Sequence, residues 1–566
     1  SDPDKPFILV EYCHAMGNGP GDLEDYWEII LADEHACGGF VWEWCDHTVL
    51  AGRDETGREI HLYGGDHGEA VHDGNFCVDG LVAPDRTPHA GLLELKNVQR
   101  PARVVDYDQE RGLVTLRNDL DFTDLDQYAR LSYEIRCDGT VVESGPLELP
   151  GPVPPHSIVT LRCAPAVPDA GRCHLLITSR LRRQVPLLEP GHELGFDEIP
   201  LANADPRHRA VAKALGPVAE ALEAGADVAA RPNGAVGYSD TAGAVGAGSA
   251  ADAADAGSAV GAGSAADAAD AVRDGCETTL TGGDLTVVVD TRSGLPRSLR
   301  VGDRELLDRP MELNIWRAPT DNDRHIRRQW ERAGYDRAGA QAYSTRIIRR
   351  RGAVAVHAEM SVSATALQPA LRVRAVWTVT ESGELAVNLR ARKSEGFPCL
   401  PRFGLRLFLP SSMHQVAYYG LGPGESYIDK HRSCHHDEFR TTVAELHEGC
   451  IRPQENGSRA DCDYVALTEG ADDALELTAV GLRPFSFNVS AYTQEELTET
   501  AHDAELSPCG STVLCLDGAM AGIGSASCGP ELRPDYRVDE DALGLDLVLL
   551  PLISSPIPNS AHNEVN

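Results

Sequence analysis

The sequence is short of positive charge. Its 51 lysines and arginines are outnumbered by 87 aspartates and glutamates, giving a formal net charge of −36 at pH 7. Proteins that bind nucleic acid or an anionic membrane surface need a basic footprint for the phosphates, so this composition argues against both partners. The chain also has no apolar run long enough to cross a bilayer as a helix. Such an acidic excess fits a protein that acts on a neutral small molecule.

Paired cysteine motifs are absent too. The 15 cysteines are scattered and odd in number, and none forms a C-x-x-C pair. This pattern is typical of reduced, mostly buried thiols and predicts a cytoplasmic protein. The opening SDPDKPF has no basic region and no initiator methionine, so it does not resemble a signal peptide. We expect the chain to begin partway through a larger protein.

Residues 204–275 contain an Ala/Gly/Ser/Asp tract with almost no large apolar side chains. The segment AVGAGSAADAADA occurs at 244–256 and again at 259–271. A tract of this composition buries too little apolar surface to offset the entropy of ordering its backbone. It predicts a flexible linker or loop insertion between folded parts.

The remaining sequence has the length and apolar content of several domains. Residues 7–11 (FILVE) predict a buried strand, 21–36 a helix with apolar residues at i, i+3 and i+4, and 38–46 (GGFVWEWCD) a second strand. Strand, helix and strand in this order favour a parallel βαβ unit. Ligands of such units bind beyond the carboxyl ends of the strands, where Glu11 and Glu43 would lie.

Two later regions are rich in strands. Short alternating segments over 103–203, with turn residues between them, predict an antiparallel sandwich. Longer apolar strands over 276–555 predict a large two-sheet sandwich, followed by a tail at 556–566.

Glu11 is the leading candidate for chemistry on residue type and position alone. A carboxylate at a strand end, with His14 and a glycine-rich turn behind it, suits a nucleophile or an acid/base. It could equally cap the next helix or pair with a basic residue. The cluster HRSCHHDE at 431–438 lacks the usual spacing of zinc ligands and predicts a solvated loop.

A family resemblance takes the interpretation further. Seven segments occur in a fixed order: EYCHAMGNGPG, GGFVWEWCDH, YGGDHGE, NFCVDGLVAPDRTPH, RAPTDND, GLGPGESY and GIGSASCGP. Together they resemble the carboxyl-terminal half of the bacterial β-galactosidases of glycoside hydrolase family 2. The resemblance implies the end of a (β/α)8 TIM barrel over 1–102, with its last two strands at 7–11 and 39–43. An immunoglobulin-like sandwich and a large sandwich that closes over the site would follow.

The resemblance also implies roles for individual residues. Glu11 matches the nucleophile of a retaining hydrolase of terminal β-galactosides such as lactose. His14 matches a histidine that contacts the galactosyl group. Trp42 matches a tryptophan whose flat face packs against the sugar, whereas Trp44 could be a core residue on the other side of the strand.

A sodium site is implied next to the sugar. Phe76 would give a backbone carbonyl and Asp79, at a substrate-binding position, a side-chain oxygen; some members have asparagine there. Either side chain can offer oxygen to a hard cation. Cys528 falls where some members place a tryptophan that stacks on the aglycone, and a thiol offers no such platform, so weaker aglycone binding is expected.

Two further groups would lie upstream of Glu11 in the family pattern: the acid/base and the magnesium ligands. Glu43 is the local strand-end acid, but the pattern gives it no such role. We therefore expect the chain to carry the nucleophile without the acid, to be inactive alone, and to need an amino-terminal half that completes a homo-oligomeric enzyme. The alternatives are a non-catalytic carbohydrate-binding or assembly module, and hydrolysis of another β-glycoside such as a mannoside or glucuronide.

Overall fold

The computed structural model describes residues 5–218, 269–470 and 474–553. Within them the chain forms a barrel segment, a small sandwich and a large β domain, which confirms the predicted multidomain architecture. No helix in these ranges is both long and apolar enough to span a membrane.

The barrel segment contains the predicted βαβ unit, but its first strand is not the buried strand that was predicted. Phe7, Ile8 and Val10 are 54%, 45% and 75% exposed, because this strand pairs with a single neighbour in the described residues. Strand β1 pairs in parallel with strand β2, with Phe7 opposite Ala36 and Tyr12 opposite Val41. Buried Leu23 and Ile30 turn the intervening helix toward the sheet. The elements are β1 (Phe7–Tyr12), α1 (Leu23–Ala32), β2 (Ala36–Val41), the hairpin β3 (Val49–Arg53) and β4 (Glu59–Leu62), and α2 (Ala90–Val98).

The second strand ends earlier than predicted. The sequence favoured a strand over 38–46 and the resemblance implied one over 39–43, but β2 stops at Val41. Beyond it the Glu43 amide donates to the carbonyl of Asp79 (2.7 Å), and the Glu43 carbonyl accepts from Leu81 (2.9 Å). The backbone therefore leaves β1 to pair with the loop at 74–82. The apolar run continues past the end of the strand with Trp42 and Trp44, whose side chains are exposed, at 41% and 59%. Trp44 is therefore not a core residue.

The small sandwich has seven strands in two antiparallel sheets. Strands β5, β6 and β9 form one sheet, and the other has the order β11-β10-β7-β8. Alternating buried residues such as Val114, Leu116, Leu175 and Ile177 fill the core between them. The elements are β5 (Ala102–Asp108), β6 (Leu113–Asn118), α3 (Leu125–Tyr128), β7 (Ala129–Cys137), β8 (Thr140–Leu147), β9 (Ile158–Arg162), β10 (Cys173–Leu181) and β11 (Glu193–Pro200).

One pair of cysteines departs from the expectation of reduced thiols. Cys137 and Cys173 face each other across β7 and β10 and are joined in a disulfide. The pairing depends on strand register, which connects positions 36 residues apart and is invisible in a search for C-x-x-C. The other 13 cysteines are free, and six of them are buried.

Both edges of the predicted linker belong to ordered elements. A helix, α4 (Arg209–Leu215), and a 3₁₀ turn (Gly216–Val218) lie at its start, and strand β12 (Asp270–Asp274) lies at its end. Val218 packs against Ala386 and Val548 of the large domain, which explains why this end is anchored. The rest of the segment, 219–268, lies outside the described residues, as do 554–566 and the predicted tail within them.

The large domain packs a five-stranded sheet against a twelve-stranded one around a single core, so it begins at 270 rather than 276. The smaller sheet runs in chain order through β12, β13 (Glu277–Gly282), β14 (Leu285–Asp290), β15 (Leu295–Val301) and β16 (Arg304–Glu305). The larger sheet contains β17 (Arg309–Asn314), β18 (Gly339–Arg350), β19 (Ala353–Ser363), β20 (Leu371–Thr380), β21 (Leu385–Lys393), β22 (Arg402–Pro410), β23 (Gln415–Gly422), β24 (His435–Thr442), β25 (Arg459–Thr468), β26 (Leu475–Ser490), β27 (Ser511–Met520) and β28 (Ala542–Ile553). Helices α5 (Arg327–Ala333) and α6 (Gln494–Glu499), with 3₁₀ turns at Asp321–Asp323, Tyr335–Arg337, Asp503–Glu505 and Pro534–Tyr536, connect the strands.

Helix α2 joins the barrel segment to the large domain. The buried carboxylate of Glu94 accepts hydrogen bonds from three successive backbone amides, those of His431 (3.1 Å), Arg432 (2.9 Å) and Ser433 (2.9 Å). Asn97, one turn later, donates to the carbonyl of Arg432 (2.6 Å). One helix of the barrel therefore holds the turn before β24 in place.

The histidine-rich cluster at 431–438 is not the solvated loop that was predicted. His435 begins β24, and His436 is buried between the small sandwich and the large domain. Its Nδ1 lies 2.7 Å from Glu198 of β11, and its Nε2 lies 2.8 Å from Asp461 of β25. The spacing of the cluster could not reveal these partners, because both come from distant strands.

Candidate functional site

Three segments converge at the carboxyl ends of β1 and β2. The Ala15 amide donates to the Trp42 carbonyl (2.8 Å), and the Trp42 amide donates to the Tyr12 carbonyl (3.2 Å). The loop at 74–82 joins them through the bond from Glu43 to Asp79. Side chains that follow the strands therefore point into one region, as expected for parallel strands.

Glu11 and His14 lie side by side in this region. The Glu11 side chain is 48% exposed, and its Oε1 lies 3.6 Å from Nε2 of His14, whose side chain is 5% exposed. Burial lowers the pKa of His14, although the charges of Glu11 and Glu43 oppose this shift. The imidazole is therefore neutral at pH 7 and can offer one donor and one acceptor beside an accessible carboxylate.

Trp42 borders the same region. Its ring lies nearly parallel to that of His14, with centroids 6.5 Å apart and an angle of 20° between the planes. Since 41% of the side chain is exposed, an open aromatic face is available to an apolar ligand surface.

Asp79 forms the buried floor of the region. The residue is 1% exposed, and its Oδ2 lies 3.9 Å from Nδ1 of His14. Burial foremost, then the charge of Glu43 and a hydrogen bond with it, raise the pKa of Asp79 to about 7. Its Oδ1 is buried and has no hydrogen-bond partner among the described residues. An unpartnered carboxylate oxygen in a buried site fits a group that would bind a hard cation.

Phe76 and Cys528 reach the site from two directions. The half-buried ring of Phe76 lies under the guanidinium of Arg324, which is 4.7 Å from the ring centroid. Arg324 also donates to the carbonyl of Ser527 (3.0 Å), next to the exposed thiol of Cys528. Partial burial raises the pKa of Cys528, with opposition from Arg324 and a further rise from Glu11 and Asp79. The structure therefore groups Glu11, His14, Trp42 and Asp79 directly, and Arg324 links Phe76 with the segment that carries Cys528.

A cavity of about 320 Å³ opens beside Phe76, a volume within the range of small-molecule sites. The large domain contributes Asp321, Arg324 and Arg452 to its wall, and the barrel segment contributes Met16 and Asn75. Of the six predicted site residues only Phe76 lines this cavity, which the barrel segment and the large domain share.

Sequence reasoning missed the polar residues of the large domain that hold this region together. Asn18 is hydrogen-bonded to Lys430, Tyr427 and Gln454, all of them buried. The motif GLGPGESY contains Tyr427 and ends three residues before Lys430, but it served only as evidence of resemblance. Buried polar residues far apart in sequence could not be paired without the fold.

Three family models match successive parts of the chain. They are "Glycosyl hydrolases family 2, TIM barrel domain" over 1–104, "Beta-galactosidase, domain 4" over 114–202 and "Beta galactosidase small chain" over 281–549. Their order is that of the barrel segment, the small sandwich and the large domain. The fold and the three matches therefore define a member of glycosyl hydrolase family 2.

Curated relatives narrow the family. A β-galactosidase of Actinobacillus pleuropneumoniae is 36% identical over 539 residues, covering 95% of this chain and 47% of the relative. One from Staphylococcus xylosus is 33% identical, with 95% and 48% covered, and one from Vibrio cholerae is 28% identical, with 98% and 48% covered. The chain belongs to the β-galactosidases of glycoside hydrolase family 2 and corresponds to their carboxyl-terminal portion. It spans about half the length of the curated relatives that it matches.

Proposed function

We propose that this chain is the nucleophile-bearing half of a retaining hydrolase that cleaves terminal β-galactosides such as lactose. The observation that carries the proposal is the position of Glu11: an accessible carboxylate at the end of a barrel strand, 3.6 Å from a buried histidine. An ionised carboxylate in this place can attack an anomeric carbon and form a glycosyl ester, which water then hydrolyses with net retention.

His14 and Trp42 would bind the galactosyl group during this reaction. A neutral imidazole can donate to or accept from a sugar hydroxyl, and its place beside Glu11 would align the anomeric carbon with the nucleophile. The open face of Trp42 suits the C–H face of the ring. Cys528 would border the aglycone and bind it weakly.

Two cations complete the proposal. Asp79 and the carbonyl of Phe76 would hold a sodium ion, whose charge would compensate the buried carboxylate. The unpartnered Oδ1 of Asp79 supports this assignment. The magnesium ligands would be supplied by residues outside this chain.

The proton donor would also come from outside the chain. A retaining hydrolase needs a second carboxylate roughly 5 Å from the nucleophile. Glu43 is a poor candidate because its carboxylate is engaged by Asp79 and lies 3.2 Å from His47. We therefore propose that this chain alone does not hydrolyse galactosides, and that the complete enzyme works as a cytoplasmic homo-oligomer.

The test compares the complete enzyme with this chain. Glu11→Gln in the complete enzyme should lower kcat more than about 10⁴-fold, as expected when a covalent nucleophile is lost. A 2-deoxy-2-fluorogalactoside should label Glu11, as peptide mass spectrometry would reveal. Glu43→Gln is the matched control, and in this variant Glu11 should still be labelled.

Three results would contradict the proposal. A label on Glu43, or turnover by this chain alone that Glu11→Gln abolishes, would overturn the assignment of nucleophile and acid. Faster hydrolysis of β-mannosides or β-glucuronides than of β-galactosides would show that the substrate is another β-glycoside. Galactose binding without turnover in the complete protein would favour a carbohydrate-binding module.

A further inference from the structure

The loop that carries His14, residues 13–21, is buried although most of it is polar or glycine. Cys13, His14, Met16 and Asn18 are each 5% exposed or less. A buried loop must satisfy its backbone groups somewhere, because unpaired polar groups are costly to bury. The question is which part of the molecule supplies the partners.

The large domain supplies them at Asn18. The Asn18 amide donates to Oε1 of Gln454 (3.1 Å), and its Nδ2 donates to the carbonyl of Glu455 (2.7 Å) and the hydroxyl of Tyr427 (3.1 Å). Its Oδ1 and its carbonyl accept from Nζ of Lys430, at 2.8 and 3.3 Å. Every polar group of this barrel residue is therefore bonded to the large domain.

All three donors of the Lys430 ammonium are used in hydrogen bonds at this contact. It is 2% exposed, and beyond its two bonds to Asn18 its ammonium donates to Oε1 of Glu425 at 2.6 Å. An ammonium has three donors, and all three are used, which is the condition for burying a charged group. The other oxygen of Glu425 accepts from the amide of Gly457 (2.9 Å), so the acid is itself held rigidly.

The packing around Gly17 adds a second constraint. Gly17 has φ of +59°, and a Cβ there would lie 2.3 Å from the amide atoms of Gln454. The same Gln454 side chain accepts from the backbone amide of Asp321 (3.0 Å). On the other side of Asn18, the Gly21 amide donates to the carbonyl of Gly524 (2.9 Å), so the loop runs against the large domain on both sides and has little room to shift.

We propose that Lys430 is a positioning residue for the reaction: by fixing Asn18 from the large domain, it sets the loop that holds His14 against Glu11. The three hydrogen bonds of Lys430 go to Asn18 and Glu425, so it would act through the loop that carries His14. This inference rests on the proposed function, since it concerns the same site.

The activity test uses the complete enzyme. Lys430→Met removes all three hydrogen bonds and should lower kcat/KM for a β-galactoside about 10- to 100-fold, the scale expected for a displacement near 1 Å in an active site. Lys430→Met leaves the buried carboxylate of Glu425 without its cation. If that variant folds poorly, the double variant Lys430→Met with Glu425→Gln replaces it in the assay. Arg406→Met is the matched control. It loses a long, mostly buried cation of the same domain whose hydrogen bonds go to Glu312, Gln494 and Glu495, and it should change kcat/KM less than about twofold.

A double-mutant cycle with His14→Ala separates positioning from general damage. If Lys430 acts through His14, its replacement should cost less than about threefold once His14 is gone. Multiplicative losses in the two backgrounds, or unchanged kcat/KM in Lys430→Met, would overturn the proposal.

A second measurement needs no activity. In this chain, hydrogen exchange of peptides covering 13–21 should be at least tenfold faster in Lys430→Met than in the wild-type chain, and unchanged in Arg406→Met. Equal exchange in all three would refute the contact. If exchange responds but the complete enzyme hydrolyses no galactoside, the proposed function has failed while the positioning contact stands.

Discussion

Replacement of His436 should weaken the junction between the small sandwich and the large domain, and the loss should depend on pH. Both ring nitrogens lie near carboxylates, at 2.7 Å for Glu198 and 2.8 Å for Asp461, and the protonated ring can donate to both; Nη2 of Arg172 also lies 3.1 Å from Nε2. Burial and the charge of Arg172 disfavour the protonated ring, but the two carboxylates outweigh them and raise the pKa of His436. His436→Leu removes the cation and keeps an apolar side chain of similar size.

The size of the loss in stability depends on the hydrogen-bond donors that each carboxylate retains in His436→Leu. Asp461 is 41% exposed and retains Arg172, with Nη2 at 2.6 Å, so it contributes little. Glu198 is 13% exposed and retains the backbone amide of residue 436 at 2.7 Å, but it loses its nearest cation. Breaking a buried ion pair costs about 3–5 kcal/mol. Because Glu198 keeps one donor, we expect the low end, about 3 kcal/mol at pH 6.

The sign of the pH dependence is fixed by the raised pKa. Stability contributed by His436 is fully present below its unfolded pKa of about 6.5 and is lost as the pH rises through the higher folded value. The difference between wild type and variant should therefore shrink from pH 6 to pH 9. His174, stacked on His436 with centroids 4.4 Å apart, has a pKa lowered by burial to about 4 and stays neutral across this range.

Urea unfolding of the chain at pH 6, 7.5 and 9, followed by circular dichroism, would measure these differences. The control is His357→Leu, because His357 is equally buried but accepts from Nη2 of Arg346 (2.8 Å), and its pKa is lowered. The stability difference between His357→Leu and the wild type should shrink toward acid pH instead. An equal loss at pH 6 and pH 9 for His436→Leu, or a loss below about 1 kcal/mol at pH 6, would refute the reasoning.

Two further predictions concern backbone. Gly80→Ala should destabilise the barrel segment by more than about 2 kcal/mol, because the new Cβ would lie 2.2 Å from the backbone nitrogen of Asp46; thermal melting would show this, whereas Gly151→Ala, in open space, should melt like the wild type. The sequence predicts a linker at 244–268, so its deletion should change stability by less than about 1 kcal/mol, since closure entropy varies slowly with linker length. Extending the deletion to 271 removes Ala271, which is 4% exposed in the core of the large domain, so the longer deletion should melt lower; equal melting of the two deletions would contradict this.

Periodicity and motif order were sufficient for the architecture. Apolar residues at i, i+3 and i+4 marked α1, alternation marked the sandwich strands, and Glu11 was placed correctly at a strand end because its neighbours are uniformly apolar. Boundaries were less accurate where tertiary contacts decide them. Nothing local ends β2 at Val41, and nothing local makes a strand of 270–274.

The buried polar partners could not be predicted from the sequence, for a different reason. His436 and Lys430 look like ordinary surface residues in a charged stretch, and both are buried only because distant strands and loops cover them. A buried charge is recognisable when its partners are known, and for each of these residues one partner comes from another domain: Glu198 for His436 and Asn18 for Lys430. The Cys137–Cys173 pair was missed in the same way, since strand register alone brings the two together.

The hydrogen bonds between Asn18 and Lys430 join residues 412 positions apart, and those of Glu94 reach 337 to 339 positions along the chain. Contacts of such separation form after local ones, because a long stretch of chain must first be closed. Each sandwich can fold around its own core, but the loop carrying His14 lacks its large-domain partners, Tyr427, Lys430 and Gln454, until that domain has been made. The site is therefore among the last parts of the molecule to take shape, and a ribosome would release most of the chain before the region around Glu11 becomes rigid.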